Sequence, residues 1–247
     1  MTGHDLLRDK IVVVTAAAGT GIGSATAQRC LEEGATVVIS DWHERRLKET
    51  HEKLGTDHAI PCDVTNEQQV QNLVDETVAR HGRIDVMVNN AGLGGEKAIT
   101  DMADDEWARV LDVTLNGTFR CTRAALRQMV AQRSGVVVNN SSVIGWRAQK
   151  GQAHYAAAKA GVMALTRCAA MDVAEHGIRV NAVAPSLAAH PFLAKVTSEE
   201  LLTELASREA FGRAAEPWEV ANVIVFLASD YSSYLTGEVV SVSSQHP

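Results

Sequence analysis

Short apolar runs rich in valine and isoleucine recur along the whole chain, each followed by a longer stretch with helical spacing. The runs fall at 11–16, 36–40, 58–61, 84–90, 135–140, 178–184 and 238–242, and the helical stretches at 22–33, 43–54, 66–81, 104–132, 153–176 and 217–228. Strands joined through helices are parallel, because the helix returns the chain to the edge from which the strand began. Nearly unbroken valine and isoleucine in a strand requires cover on both faces, so helices must lie on both sides of the sheet. No repeat, low-complexity tract or flexible linker divides residues 1–247, which read as one domain. The segment 186–217 has no place in the sheet; following a late strand, it reads as a substrate lid.

Within this frame the segment TAAAGTGIG at 15–23 joins the first strand to the first helix. Parallel strands put that turn at the carboxyl edge of the sheet, where a helix N-terminus offers free N–H groups to phosphates. Gly19, Gly21 and Gly23, with Thr20 and Ile22 between them, let backbone approach a pyrophosphate. A glycine-rich turn also occurs where no nucleotide binds, but the second strand ends at Asp41, where a carboxylate would accept hydrogen bonds from an adenosine ribose. The chain is therefore read as α/β, a single-domain Rossmann-type doubly wound fold with a seven-stranded parallel sheet. Asp41 would repel the 2'-phosphate of NADP, which favours NAD. Arg45 and Arg46 lie a turn into the next helix and read as a solvated face.

Charge and composition exclude other classes. A net charge of −7 argues against nucleic acid or an anionic membrane as partner. The four cysteines form no C-x-x-C pair, and the nine histidines show no ligand spacing, so no metal is expected. The N-terminal MTGHDLLRDK lacks an apolar signal core and no run of about 18 apolar residues occurs, so a cytoplasmic location is expected.

Tyr155 and Lys159 stand four apart in an alanine-rich helical run and so share one helical face. A lysine beside a phenol favours the phenolate and would bring a general acid/base toward working pH. Ser142, at the end of the fifth strand, could bond a substrate oxygen. These residues, with CDV at 62–64, NNAG at 89–92, RVNAVAP ending at Pro185 and FGRAAEPWEVANVIVFLASDYSSYLTGEV near the end, resemble the short-chain dehydrogenase/reductase family over essentially the whole chain. The resemblance implies Tyr155 as catalytic acid/base, Ser142 holding the reacting oxygen and Lys159 also bonding the nicotinamide ribose. It further implies Asp63 and Val64 beside the adenine, Asn90, Ala91 and Gly92 beside the ribose, Pro185 and Ala188 among the cofactor-binding residues, and a homotetramer or homodimer.

Several positions depart from the family pattern. The family loop T-G-x-x-x-G-x-G, aligned on Gly21 and Gly23, puts Ala16 and Ala17 where threonine and glycine belong and displaces Thr15 by one. The loop is then one residue longer, with Gly19 supplying the turn that Ala17 cannot. The family's catalytic asparagine falls at Thr114, whose hydroxyl can donate and accept; Asn116, two positions on, points elsewhere on the helix. Pro185-Ser186 stands for P-G, the threonine expected at the carboxamide falls near His190, and Ser243-Ser244 stands for a terminal G-G.

The expected activity is NAD-dependent interconversion of a secondary alcohol and a ketone on a small-molecule substrate. The alternatives are an NADP-dependent 3-oxoacyl-thioester reductase and a dinucleotide-binding module without catalysis. A wall of Trp146, Arg147, Lys150 and Gln152, with Leu187, Phe192, Leu193 and Lys195 from the lid, suits a hydrophobic ring or acyl group with an anionic arm such as coenzyme A. A solvated basic rim over core residues is the other reading. WRAQ, AVAPS and YLTGEVVSVS are most similar to family members of sterol-ring catabolism.

Overall fold

The computed structural model describes residues 3–189 and 199–244. Its strands are β1 (Ile11–Val14), β2 (Thr36–Asp41), β3 (His58–Pro61), β4 (Val86–Asn89), β5 (Gly135–Asn140), β6 (Ile178–Pro185) and β7 (Val239–Val242). They form one seven-stranded sheet in the order β3-β2-β1-β4-β5-β6-β7, and every pairing is parallel. The chain runs outward from β1 to β3 and then crosses back to β4. The carboxyl ends of β1 and β4 therefore flank the point where the direction of winding reverses, the place at which such sheets bind ligands.

The helices are α1 (Ile22–Glu32), α2 (Glu44–Leu54), α3 (Glu67–His81), α4 (Asp104–Leu111), α5 (Gly117–Gln132), α6 (Ala153–Val173), α7 (Glu199–Arg208) and α8 (Pro217–Ala228). Side-chain period two sorts the strands between two cores. Val12 and Val14 of β1 face a core shared with Ala27 of α1, Leu47 of α2 and Ile224 of α8, whereas Val13 faces Leu73 of α3, Ala125 of α5 and Ala170 of α6. All three valines are fully buried. Each contributes about 1.5–3 kcal/mol relative to an exposed side chain, which is why helices cover both faces. Polar atoms bind α1 to its surroundings: Arg29 bonds Asn222 of α8 at 2.9 Å and Glu33 at 2.5 Å, while Glu33 accepts the backbone N–H of His4 at 2.8 Å.

Two expected boundaries change in kind. The stretch 104–132 is two helices joined by a π-helical turn at Asp112–Asn116, because one extra residue is accommodated there while the backbone keeps helical dihedrals. The helix expected to reach 176 ends at Val173 and tightens into a 3-10 turn over Ala174–His176. The segment 186–217 is described at both ends. Ala188 bridges Ala215, and the amides of Ala189 and Ala215 donate to the carbonyls of Ala215 and Leu187, each at 2.8 Å. Phe192, Leu193, Lys195 and His190 lie outside the described residues. Among those described, no helix is long and apolar enough to cross a membrane.

Candidate active site

The turn after β1 is built by partners far along the chain. The Thr15 hydroxyl accepts the N–H groups of Asn90 at 3.0 Å and Ala91 at 3.2 Å, and Asn90 Nδ2 donates to the carbonyls of Thr15 at 3.2 Å and Ala16 at 3.1 Å. Thr15 is thus docked on Asn90 across the sheet. The left-handed turn falls on Ala16, at φ 49°, and again on Gly19, at φ 95°; Ala17 stays buried without it. For a residue with a Cβ this conformation costs about 1–2 kcal/mol. The Asn90 bonds across the sheet fix it in place.

Gly23 is held tightly, since an added Cβ would lie 2.4 Å from the Ala16 carbonyl oxygen and 2.5 Å from Asn90 Nδ2. Gly19 and Gly21 differ: a Cβ on either would meet nothing within 4 Å, so both border open space. Gly21 caps α1 without a side-chain cap bond, and the first turn of α1 has no acidic residue. Exposed Thr20 and half-buried Ile22 complete the loop. Free N–H groups at an uncapped helix start beside open space fit a pyrophosphate. Behind them the buried Asp41 carboxylate accepts Ala18 N–H at 3.2 Å and His43 N–H at 2.9 Å, and Thr50 accepts Gly19 N–H at 2.9 Å.

At the neighbouring strand end Asp63 accepts both the N–H and the hydroxyl of Thr65, at 2.9 and 2.8 Å. Val64 is buried against Gly117 at the start of α5. Pro185, at the end of β6, offers its carbonyl to the Ser142 hydroxyl at 3.4 Å.

A polar chain leads from the loop to the helix that carries Tyr155. Asn140 Nδ2 donates to Asn90 Oδ1 at 2.9 Å, and the Asn140 carbonyl accepts Lys159 Nζ at 2.6 Å. Lys159 Nζ lies 5.5 Å from the Tyr155 ring centre. Ser141 donates to the Lys159 carbonyl at 2.9 Å and so anchors α6, leaving Ser142 as the serine that meets Tyr155. Burial pushes the Tyr155 phenol up to about 12, against a hydrogen bond with Ser142 that lowers it. Burial also holds Lys159 down to about 8. The expected lowering of the tyrosine by the lysine is therefore overturned in the protein alone: desolvation outweighs the Ser142 bond, and Tyr155 keeps its proton through the neutral range.

The strand-end segment Gly92-Leu93-Gly94-Gly95 runs along the start of α6. A Cβ at Gly92 would lie 3.3 Å from Lys159 Nζ, at Gly94 3.6 Å from the Tyr155 ring, and at Gly95 3.5 Å from His154 Nε2. Thr114, fully buried in the π-helical turn, accepts Leu93 N–H at 2.9 Å and donates to the Leu93 carbonyl at 3.0 Å. Its hydroxyl is committed to this strip. Asn116 bonds Asp112 at 3.1 Å on the exposed side. The wall residue Trp146 is exposed beyond the 3-10 turn Val143–Gly145, Arg147 is half-buried, Lys150 is exposed, and Gln152 caps α6.

Sequence reasoning missed Thr50, Asn140 and His154, and it named Thr15 without its partner Asn90. Asparagines in otherwise apolar strands, at 89–90 and 139–140, were the available signal, because a polar side chain placed there needs a partner.

Comparison with known proteins agrees with this geometry. The family model described as enoyl-(acyl carrier protein) reductase matches residues 16–244. A (5R,7aS)-5-hydroxy-7a-methyl-1-oxo-2,3,5,6,7,7a-hexahydro-1H-indene-carboxyl-CoA reductase of Mycobacterium tuberculosis is 66% identical, over 100% of this chain and 97% of the relative. A 3-oxoacyl-[acyl-carrier-protein] reductase of Thermotoga maritima is 41% identical over 96% of this chain and 97% of its own length. A solved short chain dehydrogenase from Mycobacterium smegmatis superposes with a TM-score of 0.89 at 58% identity, covering 100% of this chain and 97% of the other.

Proposed function

The chain belongs to the short-chain dehydrogenase/reductase family, and on that footing we propose that it interconverts a ring ketone and a secondary alcohol on a coenzyme A thioester, using NAD(H). It is an oxidoreductase that binds a nicotinamide dinucleotide, and the chemistry the bound nicotinamide contributes is hydride transfer. The observation that carries the proposal is the meeting of Ser142, Tyr155 and Lys159 at the strand ends. In reduction, Tyr155 donates its proton to the carbonyl oxygen while the Ser142 hydroxyl orients that oxygen. The Lys159 ammonium, fixed on the Asn140 carbonyl, would bond a ribose hydroxyl. Thr114 acts through Leu93, holding the strip that borders Tyr155 and Lys159.

Gly19, Gly21, Ile22 and Gly23 would hold the pyrophosphate, with Thr20 at the rim. Asp41 would hold the adenosine ribose and disfavour NADP. Asp63 and Val64 would flank the adenine, Asn90 to Gly92 the ribose, and Pro185 and Ala188 the nicotinamide. The thioester arm is supported by the relative's carboxyl-CoA substrate and by Arg147 and Lys150 at the rim. Exposed Trp107 and Phe119 on α4 and α5 leave apolar surface that a homodimer or homotetramer would cover.

The test is reduction of bicyclic ketones with NADH and with NADPH, each ketone offered as CoA thioester and as free acid. NADH should be preferred and the thioester should show the lower KM, an advantage that shrinks with salt because exposed charges are screened over about 10 Å at 0.1 M. A preference for NADPH with linear 3-oxoacyl thioesters would move the assignment to the other reductase reading, which the Thermotoga relative represents.

A further inference from the structure

His154 precedes Tyr155 and is 3% exposed. Its Nδ1 accepts the Tyr155 backbone N–H at 2.9 Å, one of the N–H groups that the first turn of α6 cannot pair internally. A nitrogen that accepts an N–H carries no proton of its own, so the imidazole proton sits on Nε2. That Nε2 faces the glycine strip, 3.5 Å from where a Cβ at Gly95 would be. It forms no hydrogen bond to the described residues, and it is not among the fully buried polar atoms that lack a partner, so it keeps an opening to solvent.

The strip gives its position a direction. Gly92 borders Lys159, Gly94 borders the edge of Tyr155, and Gly95 borders His154, after which Lys97 N–H bonds the Gly151 carbonyl at 2.9 Å. His154 therefore stands beyond Tyr155, on the side away from Lys159. A donor so little exposed and without an acceptor in the protein is open to water or to an acceptor on a ligand. Gly94 and Gly95 place no side chain of their own against Tyr155 and His154.

We propose that His154 is a substrate-binding residue whose Nε2–H donates to a second carbonyl oxygen of the substrate, remote from the carbon reduced beside Tyr155. This rests on the reading of the site as a ring-ketone reductase and adds a specificity determinant to it. Two carbonyls present the same acceptor chemistry, a second ring ketone and the thioester carbonyl.

The experiment compares three bicyclic ketones: one with no other carbonyl, one with a second ring carbonyl, and one bearing a carboxyl-CoA thioester. A fourth compound, the CoA thioether of the third, separates the thioester carbonyl from the carrier arm. Each is reduced by wild type, His154→Phe, His154→Leu and His154→Gln, with dinucleotide binding and Tm measured alongside. The wild-type preference for the compound carrying the recognised carbonyl, expressed as a ratio of kcat/KM to its carbonyl-free partner, should fall about five- to tenfold in His154→Phe and His154→Leu, the scale of one neutral hydrogen bond. The amide donor of His154→Gln should restore that ratio to within about threefold.

Loss of the second-ring-carbonyl preference identifies the ring ketone as the acceptor, and loss of the thioester-over-thioether preference identifies the thioester. A uniform loss on all compounds with ratios unchanged would overturn the inference and leave His154 as a cap for Tyr155 alone. A wild-type chain that reduces none of the compounds overturns the reductase reading and the inference with it.

Discussion

Two glycine strips lie on the same sheet edge and do opposite things. In the strip after β1, Gly19 and Gly21 border open space and the loop is held from behind by Asp41, Thr50 and Asn90. In the strip after β4, the sites where Gly92, Gly94 and Gly95 would carry a Cβ lie within 3.6 Å of Lys159, Tyr155 and His154, and Thr114 clamps the backbone between them. The first strip leaves room for a ligand's phosphates. The second leaves room for the protein's own side chains. The same residue type therefore borders open space at one strand end and packed side chains at the next, which on the proposed function are a binding surface and a reaction chamber.

The sharpest way to separate them is Tyr155→Phe, which keeps the ring against the second strip and removes the proton. Turnover should fall by at least about a hundredfold while NADH affinity stays within a fewfold, read by steady-state kinetics and fluorescence titration. Retention of more than a tenth of the wild-type rate, with chemistry limiting, would remove Tyr155 from the mechanism.

Within the first strip, Gly23→Ala and Gly21→Ala should part company. The methyl at 23 would press on Ala16 and Asn90 and destabilise the fold by about 1–3 kcal/mol, lowering Tm by several degrees. The methyl at 21 enters open space, so Tm should hold while the dinucleotide Kd rises. Equal Tm losses would mean that the first strip is packed like the second.

Asp41→Ala should weaken NAD by about 1–3 kcal/mol and narrow the preference for NAD over NADP that the proposed function expects. Because Asp41 also accepts two backbone N–H groups, a purely structural role would weaken both dinucleotides alike and leave their ratio unchanged.

Thr114→Val keeps the shape of the side chain but strands the Leu93 N–H and carbonyl, so kcat should drop about tenfold with little change in NADH binding. Thr114→Asn, which can donate and accept again, should remain within a fewfold of wild type. If valine is as active as threonine, the clamp on the second strip does not matter to the chemistry.

The smallest effect is the pH dependence of stability. Lys159 titrates near 8 in the fold against an ordinary 10.5, so between those values the unfolded chain binds more protons and the protein gains stability as pH rises. Tyr155 titrates near 12 against 10.0, so above pH 10 the folded chain keeps a proton that the unfolded chain has lost, and stability falls as pH rises further. The Tm of wild type relative to Lys159→Met should therefore climb from pH 8 to 10. A flat difference would show that Lys159 is better hydrated than its burial implies.

Much of this was legible before any coordinates. The valine-rich runs are buried on both faces whatever they pack against, so the parallel sheet followed from them, and parallel strands carried Asp41, Asn90, Ser142 and Pro185 to one edge. The i and i+4 spacing placed Tyr155 and Lys159 together on α6. The π-helical turn was not legible, because one extra residue within a run of helical dihedrals leaves no mark on a hydrophobic period.

What the sequence by itself determined about this protein is therefore the layering of the fold and the edge on which the chemistry collects, since both depend on periodicities of two and 3.6 residues that are local properties of the chain. Only the tertiary structure decided that Ala16 turns left-handed, that Thr15 docks on a residue 75 positions away, that His154 aims its proton at the second strip, and that Tyr155 holds its own proton where a nearby lysine was expected to loosen it. The physical reason is common to all four. A dihedral, a tautomer and a protonation state are each set by the neighbours and the loss of water that packing imposes, and those neighbours arrive from distant strands.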